Sequence, residues 1–439
     1  MILRSLTMWM SVLCAGGAVA LVLFDTHGQA AYDPPPMPFA QSAEPASPTV
    51  TPLPPPIVPP PDAAGISATT PPIGAVSPQP RPTLANTLWL ADGDTSTVPI
   101  AMHGGRPFVP VVIDGVRRDF LLSTLRSTAV DASLPVAGTT GAYSVRTLQV
   151  GDVRLTNVKV VRGRIAPYSQ TYLGTAAGGI LGVEFFSRFP VTIDYPNRAM
   201  TIYRSTTIAE FGRPSGSTIV PMEMVGGLPA VSCSVDGTNA TPCFLSVGSD
   251  ADLMLSGSGW SFKNVPATLM RDAEPGGEMR GAVFRGRQMT IGQVPVAGPV
   301  VQLLRDAAAD ERIGGAALRA IVGSGALSRF AVTIDEPGGA FVLSGGPGAG
   351  SAPSPFDGSG LWLVSRANAV VVRAVIPKSP ADVAGIVGGD TIVAIDGKPV
   401  TDLDSARGAF MRPTGTTTVV TYQRGAKRHD VSLMLRSLI

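Results

Sequence analysis

Two serines sit at the ends of two similar apolar strands. Phe120-Leu121-Leu122 runs into Ser123-Thr124-Leu125, and Cys243-Phe244-Leu245 runs into Ser246-Val247-Gly248. A serine hydroxyl becomes a nucleophile only beside a base that takes its proton. The three histidines do not supply one: His27 lies near the N-terminus, His103 precedes a Gly104-Gly105 turn, and His429 is close to the C-terminus. Carboxylates are nearer. Asp119 and Asp131 flank the first turn, and Asp250 and Asp252 follow the second. Two of them would act as a proton-sharing pair only with oxygens in hydrogen-bond reach of each other; otherwise they are ordinary solvated acids. Asp250, four positions past Ser246, is expected to point outward. Three histidines and three cysteines, scattered along the chain, make none of the usual zinc-ligand spacings, so neither a metal nor a cofactor is expected.

The elements that must carry these turns are short strands. The chain has 439 residues, enough for two or three domains, and is rich in Gly (50) and Pro (41) but poor in aromatics, which favours strands and turns over helices. A net charge of +2 with 15 % charged residues argues against a nucleic-acid partner, which calls for a basic face. Beyond residue 85 the sequence repeats. Ser187-Arg188-Phe189-Pro190-Val191-Thr192-Ile193-Asp194-Tyr195-Pro196 returns 141 positions later as Ser328-Arg329-Phe330-Ala331-Val332-Thr333-Ile334-Asp335-Glu336-Pro337, eight of ten positions agreeing. Each copy follows a paired-hydrophobic-glycine element, Ile180-Leu181-Gly182 or Ile321-Val322-Gly323. Each is also preceded by an Asp-Gly hairpin signal. Val111-Val112-Ile113 turns at Asp114-Gly115 and returns as Phe120-Leu121-Leu122; Val235 turns at Asp236-Gly237 and returns as Cys243-Phe244-Leu245. Cys233 and Cys243 would then face each other across one hairpin. In an exported protein that pair is expected to form a disulfide, the alternative being two reduced, buried side chains.

The N-terminal residues support export. An apolar run from Leu6 to Phe24 follows Arg4 and precedes Gly28-Gln29-Ala30, a small-x-small sequence. At about 19 residues it falls between a secretory signal and a bilayer span. The expectation is a signal peptide or membrane anchor at 1–31, with the remainder in the periplasm, tethered to the inner membrane if the run is retained. From 32 to 84 a proline-rich linker follows, holding 18 of the prolines up to Pro82. It is expected to be extended and unable to bury a core.

The order of parts in each copy resembles the retropepsin-like aspartic proteases: hairpin, returning strand, catalytic turn, flap region, hydrophobic-hydrophobic-Gly, then a Val-Thr-Ile-Asp strand. That resemblance implies a mainly β fold with two duplicated retropepsin-like (acid-protease) lobes, 85–212 and 213–346, forming a pepsin-like pair. In the family each lobe supplies one Asp-Thr-Gly turn. Here the matching positions are Ser123, Thr124 and Leu125 in the first lobe, and Ser246, Val247 and Gly248 in the second. Both aspartates are replaced by serine, which does not ionise near neutral pH, so hydrolysis by the family mechanism is not expected.

After a linker at 347–355, residues 356–439 resemble a bacterial PDZ domain. The series is Val370 to Ile376, Ser379-Pro380-Ala381, Ala384-Gly385-Ile386, Gly389-Asp390, then Ile392 to Ile395 with Asp396-Gly397-Lys398-Pro399-Val400. Asp404 to Met411 is the expected groove helix and Val419 to Tyr422 a late strand. The resemblance implies that Ser359-Gly360-Leu361-Trp362-Leu363-Val364 lines a groove for polypeptide segments or C-termini, with Gly360, Leu361, Trp362 and Leu363 as peptide-binding residues. Trp362 stands where the family commonly has glycine; if it fills the pocket, the groove is closed. Three functions remain open at this point. They are a pseudoprotease that binds polypeptide, an aspartic endopeptidase using other carboxylates, and a structural envelope scaffold.

Overall fold

Strand formation follows the β-branched runs, and the resulting fold is mainly β. The computed structural model describes residues 86–139, 142–204, 216–256, 260, 269–274, 277–304, 312–313, 316–346 and 348–439, and a short hairpin of Val12–Ala15 with Ala18–Leu21. The expected linker at 32–84 lies outside the described residues, as does most of the N-terminal segment. Everything described from 86 onward belongs to one body.

In the N-terminal β region (86–204), Arg106–Ile113 and Val116–Leu122 form a hairpin. Its Asp114 and Gly115 both adopt positive φ (46° and 87°), the backbone a two-residue turn of this hand requires. The Asp114 carboxylate then accepts the Thr147 amide, fixing the turn to the neighbouring strand. The strand Val116–Leu122 takes Gly179–Leu181 as a parallel partner, and Gly179–Leu181 pairs antiparallel with Ala129–Asp131. In the central β region (216–346), Cys243–Ser246 takes Ala320–Gly323 in parallel, and Ala320–Gly323 pairs antiparallel with Leu253–Ser256. Each serine therefore ends a strand buttressed in the same way.

The second Asp-Gly turn differs from the sequence expectation. Asp236 and Gly237 also have positive φ, but the strand Cys233–Val235 returns at once as Thr238–Asn239. A two-residue turn brings back the residues immediately after it, so Cys243 lies in another sheet, opposite Val231. The Cys233–Cys243 disulfide, with Cα atoms 6.0 Å apart, thus joins two sheets rather than two arms of one hairpin.

The two regions share a sheet. Val191–Asp194 pairs antiparallel with Ala331–Asp335, placing Thr192 opposite Thr333, and their hydroxyls are hydrogen-bonded at 2.7 Å. One apolar core runs through both regions, from Val98 to Leu343.

The C-terminal unit has its own core, drawn from Leu361 to Leu435. Its five main strands run in the order Leu361–Arg366, Ala369–Val375, Thr391–Ile395, Thr417–Arg424, Lys427–Met434, so Leu361–Arg366 is an edge. Asp390 of the Gly389-Asp390 motif accepts two 2.7 Å hydrogen bonds from Arg424 and one from the Val387 amide, which pins that loop to the sheet. The helix Leu403–Phe410 begins at Asp402, whose side chain accepts the Ser405 amide as an N-cap. In the linker expected at 347–355, the carbonyls of Gly350 and Ala352 accept hydrogen bonds from Arg329.

Candidate functional site

The two serine turns interlock. The Ser123 amide donates to Leu181 at 3.0 Å, which seats the first turn on its parallel neighbour. The Thr124 hydroxyl then reaches the other region, donating to the Leu245 carbonyl and accepting from the Val247 amide at 3.3 Å. Gly248 closes against the first turn, where a Cβ would lie 2.7 Å from the Leu122 carbonyl oxygen. Leu125 inserts among Phe244, Ala251, Met254 and Ile321 of the central region. Ser123, Thr124 and Ser246 are all buried, and the Ser246 hydroxyl has no hydrogen-bond partner among the described residues. Thr124→Val would strand two buried backbone groups, so unfolding in urea should show a loss of about 2 kcal/mol, largely spared in Thr124→Ser.

The four candidate acids go elsewhere. Asp119 is exposed. Asp131 is buried, not solvated: its carboxylate accepts the amides of Ser133, Ile165 and Ala166, holding the start of the helix Ile165–Leu173. Burial acts to raise its pKa, but these hydrogen bonds outweigh it and hold the carboxyl below its ordinary value. Asp252 is also buried, accepting the Val300 amide at 2.6 Å with Arg329 at 3.9 Å. Burial dominates there and raises its pKa despite those partners. Both were expected in solvent; each is drawn inside by a loop or helix start whose amides need an acceptor. Asp250 is half-exposed and paired with Arg106 at 3.1 Å. Among the described residues, no group of three His, Cys, Asp or Glu is placed to hold a metal ion.

At the expected peptide groove, Asp357 organises the loop. One of its oxygens accepts the Ser359 amide (2.6 Å), the Ser359 hydroxyl (2.6 Å) and the Gly360 amide (3.0 Å); the Leu361 amide turns to the Ser359 hydroxyl at 3.1 Å. Burial pushes the Asp357 carboxyl up to about 6, opposed by these hydrogen bonds and by Arg407. Gly360 has φ +81°, and a Cβ there would lie 2.2 Å from that of Ser379, so no side chain fits without rebuilding the loop. Trp362 is only half-buried and lies outside the unit's core. Arg407, on the helix Leu403–Phe410, reaches across to donate to the Leu363 carbonyl at 2.9 Å. Sequence reasoning missed Asp357 and Arg407. An Asp two residues before a Ser in a Gly-rich stretch is a recognisable side-chain turn, which could have marked Asp357; nothing local marks Arg407.

A family model described as PDZ domain matches residues 371–424, and the chain carries a PDZ domain there. No curated protein matches the chain. Similar solved structures include the photosystem II D1 C-terminal processing protease, at 24 % identity over 19 % of this chain and 24 % of that one, with a TM-score of 0.18. An aspartic proteinase from Irpex lacteus is 13 % identical over 59 % of this chain and 99 % of that one, with a TM-score of 0.38. The PDZ domain of a carboxy-terminal protease from Vibrio cholerae, in complex with peptide, is 22 % identical over 18 % and 93 %, with a TM-score of 0.17. The chain spans about a quarter of the first of these proteins.

Proposed function

We propose that this chain is an exported, catalytically degenerate protein with two aspartic-protease-like lobes, which binds extended polypeptide or chain termini rather than cutting them. The PDZ domain carries the reading, since an edge strand beside a helix is built to accept a peptide as an added strand. The buried serine turns support the absence of hydrolysis. A hydroxyl without a base does not activate water, and the nearby carboxylates are engaged in holding a helix, a loop and an arginine.

The test uses the full chain with a fluorescent pool of random heptapeptides, prepared with free or amidated C-termini. Saturable binding that needs the free carboxylate is the expected result; equal binding of both pools removes the reading. In parallel, denatured casein is incubated with the protein at pH 3–6. No cleavage is expected, whereas pepstatin-sensitive cleavage lost in Asp250→Asn would restore the endopeptidase alternative.

A further inference from the structure

Resting on that peptide-binding reading, we propose that the PDZ groove is shut in cis by the N-terminal β region, and that chain termini gain access only when the two undock. An edge strand normally leaves one row of backbone groups, and one face, open. Among the described residues Leu361–Arg366 pairs only with Ala369–Val375, yet Leu361, Leu363, Val364 and Ser365 are all buried. The PDZ core accounts for Leu361 and Leu363 but does not include Val364. The cover comes from the helix Ile165–Leu173, which packs against this strand.

That helix is a fixed part of the N-terminal region. Asp131 holds its first amides, and Leu173 packs with Phe108, Leu121 and Ala177. It ends at Gly174, with φ +76°, where a Cβ would lie 3.1 Å from the Cβ of Leu403. The helix therefore touches the groove strand, and its tip meets the groove helix.

A second contact sits beside it. Asp404, in the first turn of the groove helix, accepts the Gly104 amide at 2.8 Å and lies 3.2 Å from His103 Nδ1. The same Gly104-Gly105 turn approaches Arg407, so a Cβ on Gly104 would be 3.3 Å from the guanidinium. Arg407, sharing this junction with Asp250, Asp404 and Arg106, is the side chain that bridges the groove to Leu363. An incoming strand would have to displace that bridge and the helix above it. Apparent affinity is then the intrinsic affinity scaled by the undocked fraction.

The experiment compares the full chain with His103→Asp, which sets a second carboxylate against Asp404, and with the swapped pair His103→Asp/Asp404→His. Readouts are affinity for the free-carboxylate heptapeptide pool and hydrogen exchange at 361–366. The expected result is a gain of at least about tenfold in affinity and faster exchange in His103→Asp, both reversed by the swap. Equal affinity and equal exchange in the native chain and His103→Asp would overturn the closure while leaving the peptide-binding reading intact. Faster exchange that the swap reverses, with no peptide bound by any form, would uphold the closure and sink that reading. Should His103→Asp lose its far-UV spectrum, His103→Ala takes its place with the same expected order.

Discussion

Glu336→Gln is expected to stabilise the chain by about 3 kcal/mol at pH 7 and by up to about 5 kcal/mol above pH 8, and to change nothing below pH 4. Glu336 is buried with one carboxyl oxygen lacking a hydrogen-bond partner among the described residues, and burial pushes its pKa from 4.5 up to about 8. Because the folded-state value lies above the unfolded one, unfolding favours the ionised form. The native state therefore loses stability as pH rises from 4.5 through 8, and keeps all of it below 4.5. Glutamine has the same shape and never ionises, so its stability curve should lack that slope. Thermal melts at half-unit pH steps would show it; parallel curves for the two proteins would mean that Glu336 has the same proton affinity folded and unfolded. By the 141-residue offset the position corresponds to Tyr195, whose buried hydroxyl likewise has no partner among the described residues. A phenol stays neutral at that site at no ionic cost, whereas a carboxylate must give up its charge to sit there.

Arg329→Ala should cost about 3–5 kcal/mol, measured as a shift in the urea midpoint at unchanged slope. The guanidinium donates to the carbonyls of Ala297, Gly350 and Ala352 and to the Ser354 hydroxyl, and it lies 3.9 Å from the buried Asp252 carboxylate. Truncation leaves that carboxylate without its nearest cation and takes the arginine donor from the carbonyls of Ala297 and Ala352, while Gly350 keeps the Ala297 amide at 2.7 Å. Arg329→Ala/Asp252→Asn should recover part of the loss, because the stranded charge is gone while the carbonyls remain unmet. Lysine in place of Arg329 should fall between, since one ammonium does not reproduce the planar fork. Arg285 also acts on Asp252 electrostatically, so a loss below about 1 kcal/mol would mean that it offsets the carboxylate once Arg329 is gone.

How much of this was readable in the residues depends on the range over which the signal acts. The PDZ domain is legible because its marks are local and ordered: Gly389-Asp390, a β-branched strand, Asp396-Gly397-Lys398-Pro399. The first Asp-Gly hairpin is legible for the same reason. The second misleads. Its turn is real, but the strand it returns is Thr238–Asn239, too short and polar to stand out against Cys243-Phe244-Leu245. The acids mislead in the opposite sense. Asp131 and Asp252 look like surface residues, yet each satisfies amides that only the folded topology brings to it. Least legible is the contact of the helix Ile165–Leu173 with the C-terminal unit. Leu173 and Leu403 are 230 positions apart, and no periodicity or motif in either segment records that their elements meet.

The ladder that puts Thr192 opposite Thr333 makes the molecule indivisible along that line. Take away either strand and the survivor is left with a bare row of amide and carbonyl groups. The nearest remedy for such a row is the same strand from another copy, so loss of one half invites self-association instead of a smaller soluble protein.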